Sequence, residues 1–276
     1  MREAGTKMYT RAMAKRQASA EMLVKEGFQS IEAGAFMNLS KVYKVTLPST
    51  LRSIGENAFR NCMQLNCVEL PENLLRIGEA AFMECRKLEQ IRLPKKVQRV
   101  RPRTFKLCKN LKGAHLPAGL EILGENAFLD CENLQSIRIP AKVEEISFRA
   151  FSGCRRLEKV LLPGRLQVIG KEAFKGCAFS KLLLPTTLSV IKDSAFLKCR
   201  KLKYIRIPDN VKVIEKWAFH GCSGLQVELR HDPEVLGEWI FNKNGTIVRC
   251  RKGSRVDAYC KEYDLVREYI GEELML

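Results

Sequence analysis

The chain has 276 residues, 46% of them hydrophobic, and a formal net charge of +17. No apolar run reaches the roughly 18 to 20 residues that span a bilayer, which argues against a helical membrane protein. The charge is uneven: the first 30 residues contribute +3 and residues 230–276 contribute −1, leaving +15 on the stretch between them.

The opening MREAGTKMYTRAMAKRQ lacks the apolar middle of a signal peptide, so the chain as given is expected to be cytoplasmic. A helix is expected over about Tyr9 to Ala20, with Lys7, Arg11 and Lys15 on one face. A basic helix of this kind can lie on an anionic membrane. Its other side is mostly alanine and methionine, which suits a lid over whatever follows. In the next segment Met22, Val24 and Phe28 stand 23 residues before Val45, Leu47 and Leu51, so residues 1–30 read as a helical cap and a degenerate half-repeat.

From Ile31 a single unit recurs. Prolines at 48, 71, 94, 117, 140, 163, 185 and 208 are spaced by 23 residues, with one step of 22. Aligned on them, the chain reads I-x-x-x-A-F-x-x-C-x-x-L-x-x-(V/I)-x-(L/I)-P, nine times over residues 31–229. A period of this length is the signature of a solenoid, in which each unit stacks on its neighbours and all share one core. The L-x-x-V-x-L-P stretch places apolar residues at period two and predicts a short strand, closed by a proline that cannot donate the next ladder bond. One such strand per repeat makes a parallel sheet. In A-F-x-x-C the alanine and cysteine fall at i and i+4, which suits one helical or 3₁₀ turn with the phenylalanine filling the space between coils. Repeat four departs from the pattern with Pro102 and Thr104, and repeat seven loses one residue between Cys177 and Pro185.

Residues 230–276 read as a second cap. TIVRC is a strand pattern, and Ser254 can cap a helix whose Val256, Tyr259, Cys260 and Tyr263 recur at helical spacing. The whole is therefore an α/β repeat solenoid forming one continuous structural domain, capped at both ends.

The unit I-G-x-x-A-F-x-x-C-x-x-L-x-x-V-x-L-P resembles the BspA-type leucine-rich repeat, and TIVRCRKGSRVDAYCKEYDLV resembles the C-terminal cap that often follows such arrays. The resemblance spans about residues 31–266 and implies a right-handed leucine-rich-repeat coil. It also implies a protein-binding role, often adhesion to host or bacterial surface proteins, and with it a cell-surface or secreted location as the alternative to the cytoplasm.

Eight of the eleven cysteines share one repeat position, from Cys62 to Cys222, and are expected to stack as buried free thiols. No C-x-x-C pair offers a zinc framework. There is no phosphate-binding glycine loop and no hydrolase or metalloprotease motif, and His115, His220 and His231 have no context that pairs them with a nucleophile. No catalysis and no cofactor or metal is expected. Trp217 and Trp239 read as packing residues near the C-terminal cap.

Function must then come from the exposed side of the strands. Period-two geometry turns two columns outward, those two and four residues before each proline. They supply Lys44, Arg92, His115, Arg138, Lys159, Leu161, Lys181, Leu183, Tyr204 and Arg206 as the candidate partner-binding residues, with Arg86, Lys87, Lys109, Arg155, Arg156, Arg200 and Lys201 as a basic row along one edge. The expected function is a non-enzymatic protein–protein interaction module, monomeric, taking an acidic partner through this face. Nucleic acid or another polyanion is the alternative, although few aromatics line the strip for base stacking. Simple solubilisation by a charged face is the bland reading.

Overall fold

The computed structural model describes residues 7–271. Against the one strand per repeat expected from the sequence, each regular coil carries two, and both stack into parallel ladders. The front ladder holds the strand before the proline, such as Lys44–Thr46, Gln90–Arg92 and Ser136–Arg138. The back ladder holds a two-residue strand further on, such as Ser53–Ile54, Arg76–Ile77 and Val168–Ile169. Register follows the repeat: Val45 faces Val68, and Ile54 faces Ile77, each one period apart. The half-repeat joins the same way, with Met22 opposite Val45.

Between back strand and next front strand the A-F-x-x-C segment forms hydrogen-bonded turns rather than a helix. In one coil the amides of Arg60 and Cys62 bond back three residues, to Asn57 and Phe59. The intervening amides of Asn57, Phe59 and Asn61 instead reach the carbonyls of Glu79, Ala81 and Met83 in the next coil. The alternation requires left-handed backbone at Asn57 and Asn61 (φ 52° and 59°). The same positions are left-handed in later coils even where the residue is Arg103 or Leu107, so stacking overrides the local preference of an L-amino acid. Gly78 shows how tightly coils approach: a Cβ there would lie 2.5 Å from the backbone of Gly55 and Glu56.

The interior is a pair of ladders. Phenylalanine rings from Phe36 to Phe219 stack face to face, as with Phe59 on Phe82 at 5.1 Å and Phe128 on Phe151 at 5.3 Å. Tyr9 and Phe241 extend the stack at its ends, and Phe28 and Tyr259 close it edge-on. Beside it run the cysteines, each thiol donating to the carbonyl of the phenylalanine one coil earlier, as in Cys85 to Phe59 at 3.2 Å and Cys131 to Phe105 at 3.1 Å. All eight ladder thiols are buried and unbridged. Thr104, out of pattern in the sequence, is fully buried and donates its hydroxyl to the Arg101 carbonyl at 2.7 Å.

The caps depart from expectation at the N-terminus. Helix α1 covers only Arg11–Gln17, started by Thr10, while Met8–Tyr9 is a back-ladder strand paired with Ser30–Ile31. Lys7 therefore lies outside the helix, over the Phe28 ring, and the three-residue basic stripe does not form. Residues 1–6 of the expected cap lie outside the described residues. At the other end, Ile247–Cys250 is the expected strand and helix α2 spans Arg255–Glu262, with Ser254 as its cap. A further strand, Val266–Tyr269, pairs parallel to Ile247–Cys250 and finishes the front ladder.

Coil seven absorbs the missing residue on one side only. The back ladder passes through it, Val168 opposite Val190 and Val190 opposite Val213, and Phe174 stacks on Phe196 at 5.6 Å. The front ladder is interrupted: Lys159–Leu161 ends one sheet, and coil seven offers only a single bridge from Lys181 to Tyr204. Phe179 fills the space beneath, edge-on to Phe174 and Phe196.

Candidate protein-binding face

All ten candidate residues are exposed on the front side, as the alternation of the strands requires. Register sets their order. Arg92 faces His115, Gly113 faces Ser136 and Arg138 faces Leu161, so Arg92, His115, Arg138 and Leu161 form one column across four consecutive coils. Parallel strands lie about 4.8 Å apart, so Arg92 and Arg138 are separated by about 10 Å.

The candidates differ in what surrounds them. Among the described residues, Arg92, Arg138, Lys159 and Lys181 have no carboxylate partner. Lys44 stands 4.0 Å from Glu21, near the N-terminal end. Arg206 is answered by Glu228 at 3.6 Å, and the same carboxylate takes Arg230 at 2.5 Å and the Tyr204 hydroxyl at 3.0 Å. Burial alone would raise the Glu228 pKa, yet these three partners hold it below the usual carboxylate range. Burial, and then the bond to Glu228, push the Tyr204 hydroxyl up. Tyr204 and Arg206 thus end the face on a shared carboxylate, whereas its centre has none to answer its positive charge.

At that centre lie two large apolar side chains in the open. Leu183 is 90% exposed and Leu161 56%, on either side of the ladder interruption. Lys159 and Lys181 flank them on the adjacent column. The edge row is less uniformly free: Lys109 pairs with Glu132 at 2.9 Å and Lys201 with Glu158 at 3.1 Å, while Arg155, Arg156 and Arg200 have no carboxylate within ion-pair distance among the described residues. Lys109–Glu132, Lys112–Glu89 and Arg149–Glu172 each join residues one period apart, a regularity visible in the sequence as opposite charges 23 positions from each other.

Other residues singled out in the sequence are scattered. His115 is exposed on the front column, and His231 bonds the Val211 carbonyl through Nε2 at 2.7 Å. Among the described residues, no group of three or more His, Cys, Asp or Glu side chains is placed to hold a metal. Nor, among the described residues, is any helix long and apolar enough to cross a membrane. Trp217 and Trp239 correct the sequence reading. They are 41% and 48% exposed rather than packed, although Trp239 does touch Tyr263 of the cap edge-on.

Comparison with known proteins agrees with this architecture. No curated protein matches the chain in sequence. A leucine-rich repeat protein of T. pallidum is similar at 27% identity and TM-score 0.55, over 67% of this chain and 78% of that one. A leucine-rich repeat protein from Bacteroides ovatus is similar in fold, at 20% identity and TM-score 0.61 over 95% of this chain and 86% of that one. The family model for the BspA type leucine rich repeat region matches residues 29–158 and 121–248. Repeat sequence, stacked ladders and family match coincide, and the chain belongs to the BspA-type leucine-rich repeat family.

Proposed function

We propose that this solenoid is a non-enzymatic module that binds an acidic segment of a partner protein across the front face, from Arg92 to Lys181 and Leu183. The observation that carries the reading is the uncompensated charge of Arg92, Arg138, Lys159 and Lys181 beside two exposed leucines. Guanidinium groups held on a strand present paired donors to carboxylates. Apolar side chains at the centre of a polar surface supply the desolvated anchor on which protein interfaces depend. Leucine-rich repeats serve as protein-interaction surfaces, which supports the same choice. Adhesion to a host or bacterial surface protein is one use of such a face, and it fits the basic surface equally with an acidic partner inside the cell.

The test compares wild type with the Arg92→Glu/Arg138→Glu and Leu183→Ala variants, after circular dichroism shows equal folding. Partners captured from host and bacterial extracts are identified, purified and titrated, and heparin and single-stranded DNA are titrated beside them. A protein partner weakened tenfold or more by both variants, about 1.4 kcal/mol each, supports the reading. Binding to heparin or DNA that falls with charge reversal and ignores Leu183→Ala assigns the face to polyanions instead. A partner retained equally by both variants removes recognition from this face.

A further inference from the structure

The residue before each Ala-Phe pair is left-handed in coil after coil, and the fold is served there by Asn57, Ala80, Asn126 and Ser194. In the last two coils the equivalent position holds Trp217 (φ 57°), before Ala218-Phe219, and Trp239 (φ 51°), before Ile240-Phe241, the only tryptophans of the chain. Stacking imposes that backbone whatever the residue, so the conformation itself assigns the indoles no task; what sets them apart is that two large aromatic rings stand nearly half exposed there. The Trp217 amide reaches the Glu238 carbonyl at 3.0 Å, a main-chain bond that any residue could make.

The surroundings indicate what the rings would take. Trp239 meets Tyr263 at 5.0 Å with planes at 81°, so the two form an aromatic corner where the last repeat joins the cap. Each is preceded in the chain by an exposed carboxylate, Glu238 and Glu262, and both carboxylates bear on the Tyr263 hydroxyl. Neither has a cationic partner among the described residues, although the chain carries an excess of 17 positive charges. Lys216 already sits over Trp217, its Nζ 4.9 Å from the ring centre, while the Trp239 ring carries no cation among the described residues. An electron-rich aromatic face beside unpaired carboxylates recognises an organic cation, and a planar guanidinium suits an indole face best.

We propose that the Trp239–Tyr263 corner is a second binding site, which takes an arginine side chain of a basic peptide segment, stacked on Trp239 and facing Glu238 and Glu262. The site is separate from the front face and opposite in charge preference. It lets one solenoid engage an acidic and a basic segment at once.

The two tryptophans make the site its own reporter. Selective tryptophan fluorescence of the full chain is followed while hexa-arginine is added, with hexa-citrulline as the uncharged isostere and an uncharged glucan as a third arm. The expected result is a saturable change with hexa-arginine alone. By calorimetry, Trp239→Ala and, separately, Glu238→Gln/Glu262→Gln each weaken binding about tenfold, as expected for loss of a partly desolvated cation–π contact. The basic front face repels hexa-arginine, so the result is independent of the front-face reading. The carboxylate variant changes only exposed groups and stands if Trp239→Ala disturbs the cap. Equal response to hexa-citrulline, insensitivity to both variants, or a response to the glucan in place of the peptide would overturn the proposal.

Discussion

Phe128→Ala tests whether the stacked rings hold the coils together. The ring is fully buried, with Phe105 at 5.2 Å on one side and Phe151 at 5.3 Å on the other. Its main-chain bonds, to Ala150 and from Cys154, do not depend on the side chain, so the loss is confined to packing. Truncating a buried phenylalanine costs about 3 to 5 kcal/mol through lost transfer energy and the residual cavity. Both stacked contacts vanish as well, each worth about 0.5 to 1.5 kcal/mol and partly contained in that figure, so about 4 kcal/mol is expected. Phe241→Ala is the internal control. Phe241 is stacked only on Phe219 and met edge-on by Tyr259, and in a quasi-one-dimensional array a defect near the end frays one coil instead of dividing the stack. Urea unfolding gives the two losses, and hydrogen exchange at the amides of Phe105, Phe128 and Phe151 locates them. A loss below about 1.5 kcal/mol at Phe128, or equal losses at both positions, would refute the reasoning.

The thiols give two further expectations. Cys67 is the one exposed cysteine, so native protein should react at a single site with a thiol reagent and Cys67→Ser should abolish the fast phase; rapid labelling of a ladder cysteine would contradict the packing. Burial pushes the Cys62 and Cys108 thiols up to about 12 from an ordinary value of 9.0, so the folded chain keeps protons that the unfolded chain releases. Their contribution is intact below pH 9 and is lost as pH rises through the window to about 12, by up to about 1.4 kcal/mol per pH unit for each thiol. A urea midpoint that falls no faster with alkali in wild type than in Cys62→Ala/Cys108→Ala would count against this. In the C-terminal cap, Asp257 accepts the Gly253 amide at 3.0 Å and pairs with Lys261 at 3.1 Å. Its carboxyl is held below the usual range chiefly by that amide, so its support is present above the unfolded value and lost as pH falls. Asp257→Asn should speed hydrogen exchange in Val266–Tyr269 at neutral pH and narrow the gap to wild type in acid; unchanged exchange would refute it.

Much of this was legible in the residues. The period located the front strands, and period two turned all ten candidate side chains outward, because a strand cannot face neighbouring residues the same way. The back strands escaped notice since two residues hold no alternation to detect. Arg206 read as a free cation because its partner Glu228 is remote in sequence and near only after stacking. Searching for opposite charges one repeat away finds Lys109 with Glu132 and Lys112 with Glu89, but it would also have joined Arg92 to Glu69 and Lys181 to Glu158, which do not pair, so spacing alone does not separate the answered cations from the unanswered ones. Trp217 and Trp239 were misread for a different reason. Aromatic content suggests burial, but both stand at a left-handed turn position where the rings are left 41% and 48% exposed, and no pattern in the residues marks that.

Coil seven carries a lesson about how such a chain can change. One residue is gone, yet the back ladder, the aromatic stack and the thiol of Cys199, still 3.1 Å from the Phe174 carbonyl, continue as though the count were unaltered. The shorter count falls entirely on the front side, where it opens the sheet and leaves Leu183 standing free. The two sides of a coil are therefore separately editable: a change of length within a single turn can remodel the front while the back ladder and core stay in place.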